Sequence, residues 1–302
     1  MILKNINSFV FFGGGTGLSR ILKPFIFSNN IPLNSDISAV VSTFDNGGSS
    51  GILRSEYGIP ALGDIRKVLS SLSSDINSKF LEYRFRNKPL NQHVVGNLIL
   101  NSYLKKTNSL KSAIEKYKKK FSEKHISIIP SSIISADLVA KFKEELIFGE
   151  CNIEKIAEEQ IDDLYLHSKT HTNINSDEKT IKIIKNSSYI FFSPGSFYTS
   201  LMASVLPVGI IEAIKFSNAK TVLFQNRDKK NFMIHFDFLI HKLNGFTPDY
   251  IASSNYELRD DIENNYPQTK FIYHDFFSTD SKVHDFENTK SFFESFLESK
   301  FD

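Results

Sequence analysis

The sequence predicts an α/β protein built on a doubly wound, mostly parallel sheet with helices on both faces. Short apolar and β-branched runs alternate with amphipathic helical patterns at both ends of the chain, and this alternation is typical of that fold class. A glycine-rich loop directly follows the first apolar run, and polar loops follow several others. In open α/β sheets such loops lie at the carboxyl ends of strands, where ligands bind.

The first strand, helix and second strand are predicted within residues 8–43. An apolar run at 8–12 stops at glycines, and apolar residues then recur at helical spacing between Leu18 and Ile26. A second β-branched run at 37–43 ends in a polar loop. Two strands joined by a helix form a βαβ unit, which requires parallel pairing and a right-handed crossover.

The sequence after residue 188 repeats this rhythm. Each repeat is an apolar run followed by a helical pattern, as expected for parallel strands joined by crossover helices. The predicted strands cover residues 189–193, 221–225, 249–253 and 270–273, and the predicted helices cover 196–217 with a break at Pro207, 232–243 and 259–264.

Residues 64–176 interrupt the rhythm, and we predict that they form an inserted α+β cap over the sheet. No linker rich in Pro, Gly and Ser separates them from the rest of the chain. We therefore predict one Rossmann-like domain over residues 1–302 that contains this cap. Within the cap, helical patterns extend to residue 121, strand-like runs cover 126–129, 133–139 and 142–148, and a charged stretch covers 154–163.

Composition excludes several classes of protein. Thirty-six Lys and Arg against 34 Asp and Glu leave a net charge of +2, so overall charge gives no reason to expect nucleic acid as a partner. The single cysteine, Cys151, excludes an internal disulfide framework within one chain. Residues 187–211 are uncharged, but Pro194 and Pro207 favour a buried strand, turn and helix over a membrane span. We expect a soluble, cytoplasmic protein.

The first polar loop contains Gly14, Gly15, Thr16 and Gly17. Its backbone N–H groups and the following helix N-terminus can bind a phosphate without interference from side chains. The loop is neither standard nucleotide motif, because Leu18 stands where a dinucleotide fingerprint needs Gly or Ala and no Gly-Lys-Ser/Thr follows. The alternative interpretation is a tight strand-to-helix turn that serves packing alone.

The second polar loop carries Asp45, Asn46 and Ser49 just past the second predicted strand. Asp45 lies where a doubly wound fold commonly places an acid near a ribose or a metal. An Asx turn, in which Asp or Asn caps its own loop, explains the same residues equally well.

Two further loops carry candidate groups. Asp64 precedes a helical pattern and could be only the N-cap of that helix. Arg66 in the first turn is unfavourable for the helix dipole, which indicates another role such as pairing with an anion. The fourth loop joins a buried strand to a helix and offers hydroxyl and N–H groups suited to a phosphate or sugar; its candidate residues are Gly195, Ser196, Tyr198, Thr199 and Ser200.

Five motifs follow one another over nearly the whole chain. They are Gly-Gly-Gly-Thr-Gly-Leu-Ser at 13–19, the Asp45 loop through Leu53-Arg54, Gly-Asp-Ile-Arg at 63–66, His93-x-x-Gly96-Asn97-Leu98, and Pro-Gly-Ser-x-Tyr-Thr-Ser at 194–200. In this order they resemble the 2-phospho-L-lactate transferase (CofD-like) superfamily, and most of all its bacterial gluconeogenesis-factor (YvcK-like) branch.

That resemblance implies a Rossmann-like fold that binds a nucleotide or nucleotide sugar. In the bacterial branch the ligand is of the UDP-N-acetylglucosamine type, and the role is regulatory, in carbon metabolism, cell shape and cell-wall homeostasis. The transferase branch instead moves 2-phospholactate from a guanosine-linked donor to a deazaflavin alcohol with Mg²⁺. In that alternative, Asp45 and Asp64 would be the catalytic residues, and Asp45 would hold the metal. Leu18 disfavours a third interpretation, a nicotinamide oxidoreductase. A homo-oligomer is expected.

The sequence departs from the branch pattern at two places. Asn46 stands where a second Asp is usual, and residues 227–238 differ from the usual loop, with Asp237-Phe238 in place of an Asp-His pair. The candidate nucleotide and phosphate site comprises Gly14, Gly15, Thr16, Gly17, Asp45, Asn46, Ser49, Asp64, Arg66, His93, Asn97, Gly195, Ser196, Tyr198, Thr199, Ser200 and Asn226.

Overall fold

A computed structural model describes residues 7–122, 126–156, 161–226, 231–278 and 283–298. The strands alternate with helices at both ends of the chain, as the sequence predicts. In chain order the strands are β1 (Ser8–Gly13), β2 (Asp36–Val41), β3 (Ser127–Pro130), β4 (Asp137–Phe142), β5 (Glu145–Phe148), β6 (Asp163–His167), β7 (Tyr189–Phe192), β8 (Lys220–Phe224), β9 (Tyr250–Ser253) and β10 (Lys270–Tyr273).

Helices connect most of these strands, and some begin at a side-chain cap. The Asp177 carboxylate, for example, accepts the Thr180 N–H at 2.8 Å and so satisfies a free donor at the start of its helix. The helices are α1 (Thr16–Ile26), α2 (Gly48–Tyr57), α3 (Gly63–Ser71), α4 (Asp75–Leu81), α5 (Val95–Thr107), α6 (Leu110–Phe121), α7 (Glu150–Ile153), α8 (Glu178–Lys185), α9 (Ala203–Val205), α10 (Ile210–Lys215), α11 (Phe232–Lys242), α12 (Leu258–Asn265) and α13 (Phe286–Glu298), with a 3₁₀ turn at Glu154–Ile156 and a π-helical turn at Phe197–Met202.

The main sheet has seven strands in the order β10-β9-β8-β7-β1-β2-β3, and every neighbouring pair is parallel. The chain steps from β1 to β2 and β3 on one side, and then returns to the other side of β1 at β7. Strand order therefore reverses between β1 and β7. This reversal is the switch point of a doubly wound sheet, where the carboxyl ends of the strands open a crevice, and it confirms the predicted Rossmann-like fold.

Side chains alternate along β1 between two cores, because successive residues of a strand point to opposite faces. Phe9 and Phe11 join a core with α1, α3, α5, α6 and α13. Val10 and Phe12 join the opposite core, which is covered by α8 to α12 and by the antiparallel strands. Both faces of the sheet are thus buried, as parallel sheets require.

The first of these cores is built on phenylalanine rings. Phe11 stacks on Phe191 with ring centroids 4.7 Å apart. The Phe293 ring from α13 meets Phe25 edge-on at 5.0 Å and Phe191 edge-on at 5.5 Å. Edge-to-face aromatic pairs add stabilisation beyond the area that they bury. The C-terminal helix α13 is therefore joined to the centre of the sheet.

The segment predicted as a cap, residues 64–176, is divided between two parts of the structure. Its helices α3, α5 and α6 pack in the same core as Phe11, and β3 pairs with β2 as the edge strand of the main sheet. The apolar side chains of Ile65 and Ile128, both buried there, explain why this half joins the sheet. The other part contains a three-stranded antiparallel sheet in the order β5-β4-β6, together with α7 and the 3₁₀ turn.

The uncharged stretch at residues 187–211 forms β7, the π-helical turn, α9 and the start of α10. Its Ile190 and Phe192 side chains are fully buried, as the sequence predicts. Within the described residues, no helix combines the length and apolar character needed to cross a bilayer.

Replacing Phe293 by Ala tests the role of α13. Loss of a buried ring that contacts several others should lower the free energy of unfolding by about 3–5 kcal/mol, measured by urea denaturation. The matched control is Phe216→Ala, because Phe216 is 74% exposed and its loss should change stability by less than about 0.5 kcal/mol. Equal stabilities for the two variants would contradict the assigned role.

Candidate functional site

The candidate site is a cleft between two glycine loops at the switch point of the sheet. One loop follows β1 and the other follows β7, and Gly15, Gly17, Gly195 and Ser196 line the cleft between them. A Cβ atom on Gly17 would lie 1.8 Å from the Pro194 carbonyl oxygen. The two backbones can approach this closely only because residue 17 has no side chain.

The loop after β1 also packs against α3 and the loop after β7. A Cβ atom on Gly14 would lie 2.5 Å from the Ser200 hydroxyl oxygen and 2.8 Å from an Asp64 carboxylate oxygen. The Gly15 N–H donates to the Asp64 carboxylate. The N–H of Gly15 is thus already used inside the protein, whereas Thr16, the first residue of α1, is exposed at the mouth of the cleft.

Asp64 is the second residue of α3, which begins at Gly63 after Leu62, so the N-cap interpretation of Asp64 is wrong. Burial raises the pKa of the Asp64 carboxyl, and the nearby Lys67 ammonium opposes that rise. The Lys67 Nζ lies 3.2 Å from the Asp64 carboxylate, and the pKa of Lys67 is raised by this partner. Lys67 is not among the residues predicted from the sequence, although its position three residues after Asp64 on one helix is a usable signal.

The Asp45 loop is held by its own backbone and by α7. An Asp45 carboxylate oxygen accepts the Gly47 N–H at 2.6 Å, which is the Asx-type interaction expected as the alternative. The Asn46 side-chain oxygen accepts the Cys151 N–H at 3.0 Å. Asn46 therefore connects this loop to the antiparallel part of the structure.

Glu150, at the start of α7, places a third carboxyl group beside Asp45 and Asp64. Burial and these two acidic neighbours raise the pKa of Glu150 to about 9. The Asp64 carboxylate is already paired with Lys67. Within the described ranges, no group of three or more His, Cys, Asp or Glu residues has an arrangement that could hold a metal ion. The residues present thus do not form an all-protein site for the Mg²⁺ considered from the sequence.

Four other predicted residues lie among the helices and do not line the cleft or the neighbouring pockets. They are Ser49, Arg66, His93 and Asn97. The buried Arg66 donates to the Asn97 side-chain oxygen at 3.1 Å and forms an ion pair with Glu82. The anion that pairs with Arg66 is thus a carboxylate of the chain itself, that of Glu82. His93 Nδ1 lies 3.4 Å from the Ser49 hydroxyl oxygen, which also accepts the Val94 N–H at 3.2 Å.

The loop after β7 offers the hydroxyl groups that the sequence predicts. The Ser196 and Thr199 hydroxyls both donate to one carboxylate oxygen of Glu154, in the 3₁₀ turn after α7. Asn226 fixes the loop, because its side-chain oxygen accepts the Gly195 N–H at 2.8 Å and its amide donates to the Gly195 carbonyl. Tyr198 is fully buried and contributes to the core.

A side pocket extends from the loop after β7 towards α11. The Phe197 and His235 rings stack in its wall with centroids 4.4 Å apart, and Gln225 and Phe232 also line it. Neither His235 nor Glu154 is found from the sequence, because neither belongs to a motif. In the segment 227–238, which departs from the family pattern, residues 227–230 lie outside the described residues. Asp237 of the same segment accepts a hydrogen bond from the Tyr266 hydroxyl.

The sequence of the chain matches a known protein family. The family model of 2-phospho-L-lactate transferase CofD matches residues 9–278. The chain belongs to the CofD family. This CofD-family chain is 37% identical to a Thermotoga maritima protein over 221 residues, or 71% of this chain and 66% of that protein. It is 32% identical over 256 residues to the gluconeogenesis factor of Halalkalibacterium halodurans, or 83% of this chain and 71% of that protein.

The fold of the CofD-family chain is also found in solved structures. A crystal structure of a Bacillus halodurans protein superimposes with a TM-score of 0.81 and 26% identity, covering 97% of this chain and all of that one. A second crystal structure, of a UPF0052 family protein from the same organism, also gives a TM-score of 0.81, at 24% identity over 96% of this chain and 99% of that one. The predicted membership of the gluconeogenesis-factor branch of the CofD family is confirmed.

Replacing Gly17 by Ala tests the contact between the two glycine loops. The added methyl group overlaps the Pro194 carbonyl, so the loops must separate, and the free energy of unfolding should fall by about 1–3 kcal/mol. Chemical denaturation measures the change. Thr16→Ala is the control, because Thr16 belongs to the same loop and is exposed; comparable losses in both variants would refute the close contact.

Stability should depend on pH through His284, which lines the cleft. Burial and the neighbouring Arg20 lower the pKa of His284 to about 4 from 6.5. Between these values the unfolded chain binds a proton that the folded chain excludes, so the free energy of unfolding should fall by about 3 kcal/mol as the pH drops from 6.5 to 4. His284→Asn should remove this part of the slope in denaturation curves, whereas substitution of the exposed His171 should leave it. An unchanged slope in His284→Asn would contradict the assignment.

Proposed function

We propose that this CofD-family protein binds a nucleotide sugar of the uridine diphosphate type, and acts as a cytoplasmic, homo-oligomeric regulatory factor in carbon metabolism, cell shape and cell-wall homeostasis. One observation carries the binding proposal. Two glycine loops meet at the switch point of a fully parallel sheet, which is where doubly wound folds bind nucleotides.

The diphosphate would lie across the mouth of the cleft, at the N-terminus of α1. Backbone N–H groups and the helix dipole favour an anion at that position. Lys67 and Arg20 line the same cleft and supply positive charge. The near-zero net charge of the chain fits this proposal, because recognition then depends on a few local donors and cations, without a basic surface.

The base or the sugar would enter the side pocket next to the loop after β7. Its stacked Phe197 and His235 rings and its polar Gln225 and Asn226 suit a ligand with one flat or apolar part and several polar atoms. Asn226 already fixes Gly195, so its role is to hold the loop in position.

The regulatory part of the proposal is supported by relatives. The proteins of Halalkalibacterium halodurans and Bacillus subtilis, 32% and 33% identical to this chain, are both named gluconeogenesis factors. The family model carries the name of a transferase, which supports the alternative of phospholactyl transfer. Asp64 and Glu150 line the cleft and would be the acidic groups of such an enzyme.

Binding of UDP-glucose and UDP-N-acetylglucosamine tests the proposal. A ligand at a hundred times its Kd stabilises the folded state by about 2.7 kcal/mol, which should raise Tm by about 4 °C in a chain of this size. GDP- and ADP-sugars serve as controls for base preference. No shift with any nucleotide would refute the proposal, and turnover of a nucleotide-linked phospholactate with a deazaflavin would favour the transferase alternative.

The variant Glu154→Gln gives a sharper test. The Glu154 carboxylate accepts hydrogen bonds from the Ser196 and Thr199 hydroxyls, which a phosphate would otherwise use. Removal of its charge should strengthen UDP-sugar binding by about tenfold, or about 1.4 kcal/mol, as measured by calorimetry. Glu144→Gln makes the same charge change at an exposed carboxylate and should leave affinity unchanged. Equal affinities for the two variants would show that the diphosphate does not approach these hydroxyls.

A further inference from the structure

A second cleft opens on the outer side of α1, beside the nucleotide cleft. It has a volume of about 500 Å³ and is lined by residues of α1, α3 and α4 and by Glu82, His284 and Phe286. Thr16, Arg20, Lys67 and His284 line both clefts, so the two spaces adjoin. The volume is in the range of small-molecule sites, and the proposed binding of a nucleotide sugar does not account for it.

Positive side chains are concentrated in this second cleft. Arg20 and Lys23 lie three residues apart on α1 and therefore share one face of that helix; Lys67 lines the opposite wall on α3. Among the residues that line the cleft, Glu82 is the acidic one, and it is paired with Arg66. Across the described ranges, no carboxylate lies within ion-pair distance of Arg20 or Lys23. Among the residues that the structure describes, Arg20 and Lys23 thus face the cleft without a carboxylate partner, in a chain whose net charge is only +2.

An unsatisfied polar group in the wall is a second, independent observation. The His284 side chain is 97% buried, since only 3% of its surface is exposed. Its ring lies against Phe276 and Phe277, with centroid distances of 5.1 Å and 4.8 Å. Its Nε2 atom has no hydrogen-bond partner among the described residues. A buried polar atom left unpaired is costly, and His284 lines the cleft, so a ligand bound there would lie beside this residue.

We propose that this cleft is a separate anion subsite, which binds an anionic group of a sugar derivative, a phosphate or a carboxylate, through Arg20 and Lys23, with His284 as a neutral hydrogen-bond partner. Charge-assisted hydrogen bonds from a guanidinium and an ammonium group are the strongest that a phosphate finds in proteins. The remaining volume of the cleft accommodates the carbon skeleton of a sugar phosphate.

The bound anionic group has two sources, which share negatively charged oxygen atoms as acceptors. It is either the phosphate of a separate metabolite, bound beside the nucleotide, or an acidic group on the sugar of a nucleotide sugar that extends from the first cleft into the second. The second source rests on the proposed function, whereas the first does not. Ribose 5-phosphate is the probe for the first source, and UDP-glucuronate compared with UDP-glucose is the probe for the second.

The test measures binding of these probes to the full chain by calorimetry at low ionic strength. The Arg20→Gln/Lys23→Gln double variant should weaken either the binding of ribose 5-phosphate or the preference for UDP-glucuronate over UDP-glucose by about tenfold or more. Because Arg20 also lines the first cleft, the preference is measured as the ratio of the two affinities in the same variant. Lys23→Gln alone, which changes a residue of the second cleft only, should leave UDP-glucose binding unchanged. The control is Lys116→Gln/Lys119→Gln, because these exposed lysines on α6 have the same spacing and the same change in charge. His284→Leu should weaken the same probe without any change in net charge at neutral pH.

The outcomes separate this proposal from the proposed function. Loss of ribose 5-phosphate binding in the double variant supports the subsite even if no UDP-sugar binds. Loss of the UDP-glucuronate preference alone supports a single ligand that spans both clefts. The subsite is refuted if the double variant binds all three probes as the Lys116→Gln/Lys119→Gln control does, or if wild-type protein binds neither acidic probe at millimolar concentration.

Discussion

The candidate site depends on one steric constraint, the contact between the backbones of the loops after β1 and β7. A side chain at Gly17 would overlap the Pro194 carbonyl, so the separation of the two loops is fixed by the absence of a single Cβ atom. This contact places the start of α1 next to the hydroxyls of Ser196 and Ser200. Asn226 holds the second loop from β8, through two hydrogen bonds to Gly195. Backbone packing at the switch point thus determines the shape of the cleft, whichever side chains contact the ligand.

Electrostatics at this cleft are divided between two sides. Asp64 and Glu150 bring carboxyl groups close to the glycine loop, and burial raises the pKa of both. Lys67 compensates part of this charge through its ion pair with Asp64. On the outer side of α1, by contrast, Arg20 and Lys23 face open space. With its pKa of about 9, Glu150 is protonated at neutral pH and carries no charge, and Asp64 is paired with Lys67. The positive charge on the side of α1 therefore dominates, which favours one orientation of the phosphates of an anionic ligand.

Short sequence patterns were sufficient to predict the strands and loops that are formed by residues close together in the chain. Apolar runs bounded by glycine identified β1, β2 and β7, and the ordered loop motifs identified the family. Other features depend on contacts between distant residues, which one sequence does not display. Ile128 is apolar whether its strand lies in a cap or at the edge of the main sheet. Arg66 finds its partner in Glu82 of the next helix, and Glu154 reaches the Ser196 hydroxyl over 42 residues of chain.

The aromatic core limits how much of the sheet can be completed while the chain is being synthesised. Phe11 in the first strand and Phe293 in the last helix pack in one cluster, with ring centroids 6.4 Å apart. The ribosome adds residues from the N-terminus, so the first strand leaves it long before its final neighbour has been synthesised. Until then, one apolar face of the central strands lacks its C-terminal cover. Contacts so distant along the sequence also slow folding, and this aromatic face of the sheet is completed only when α13 has been synthesised.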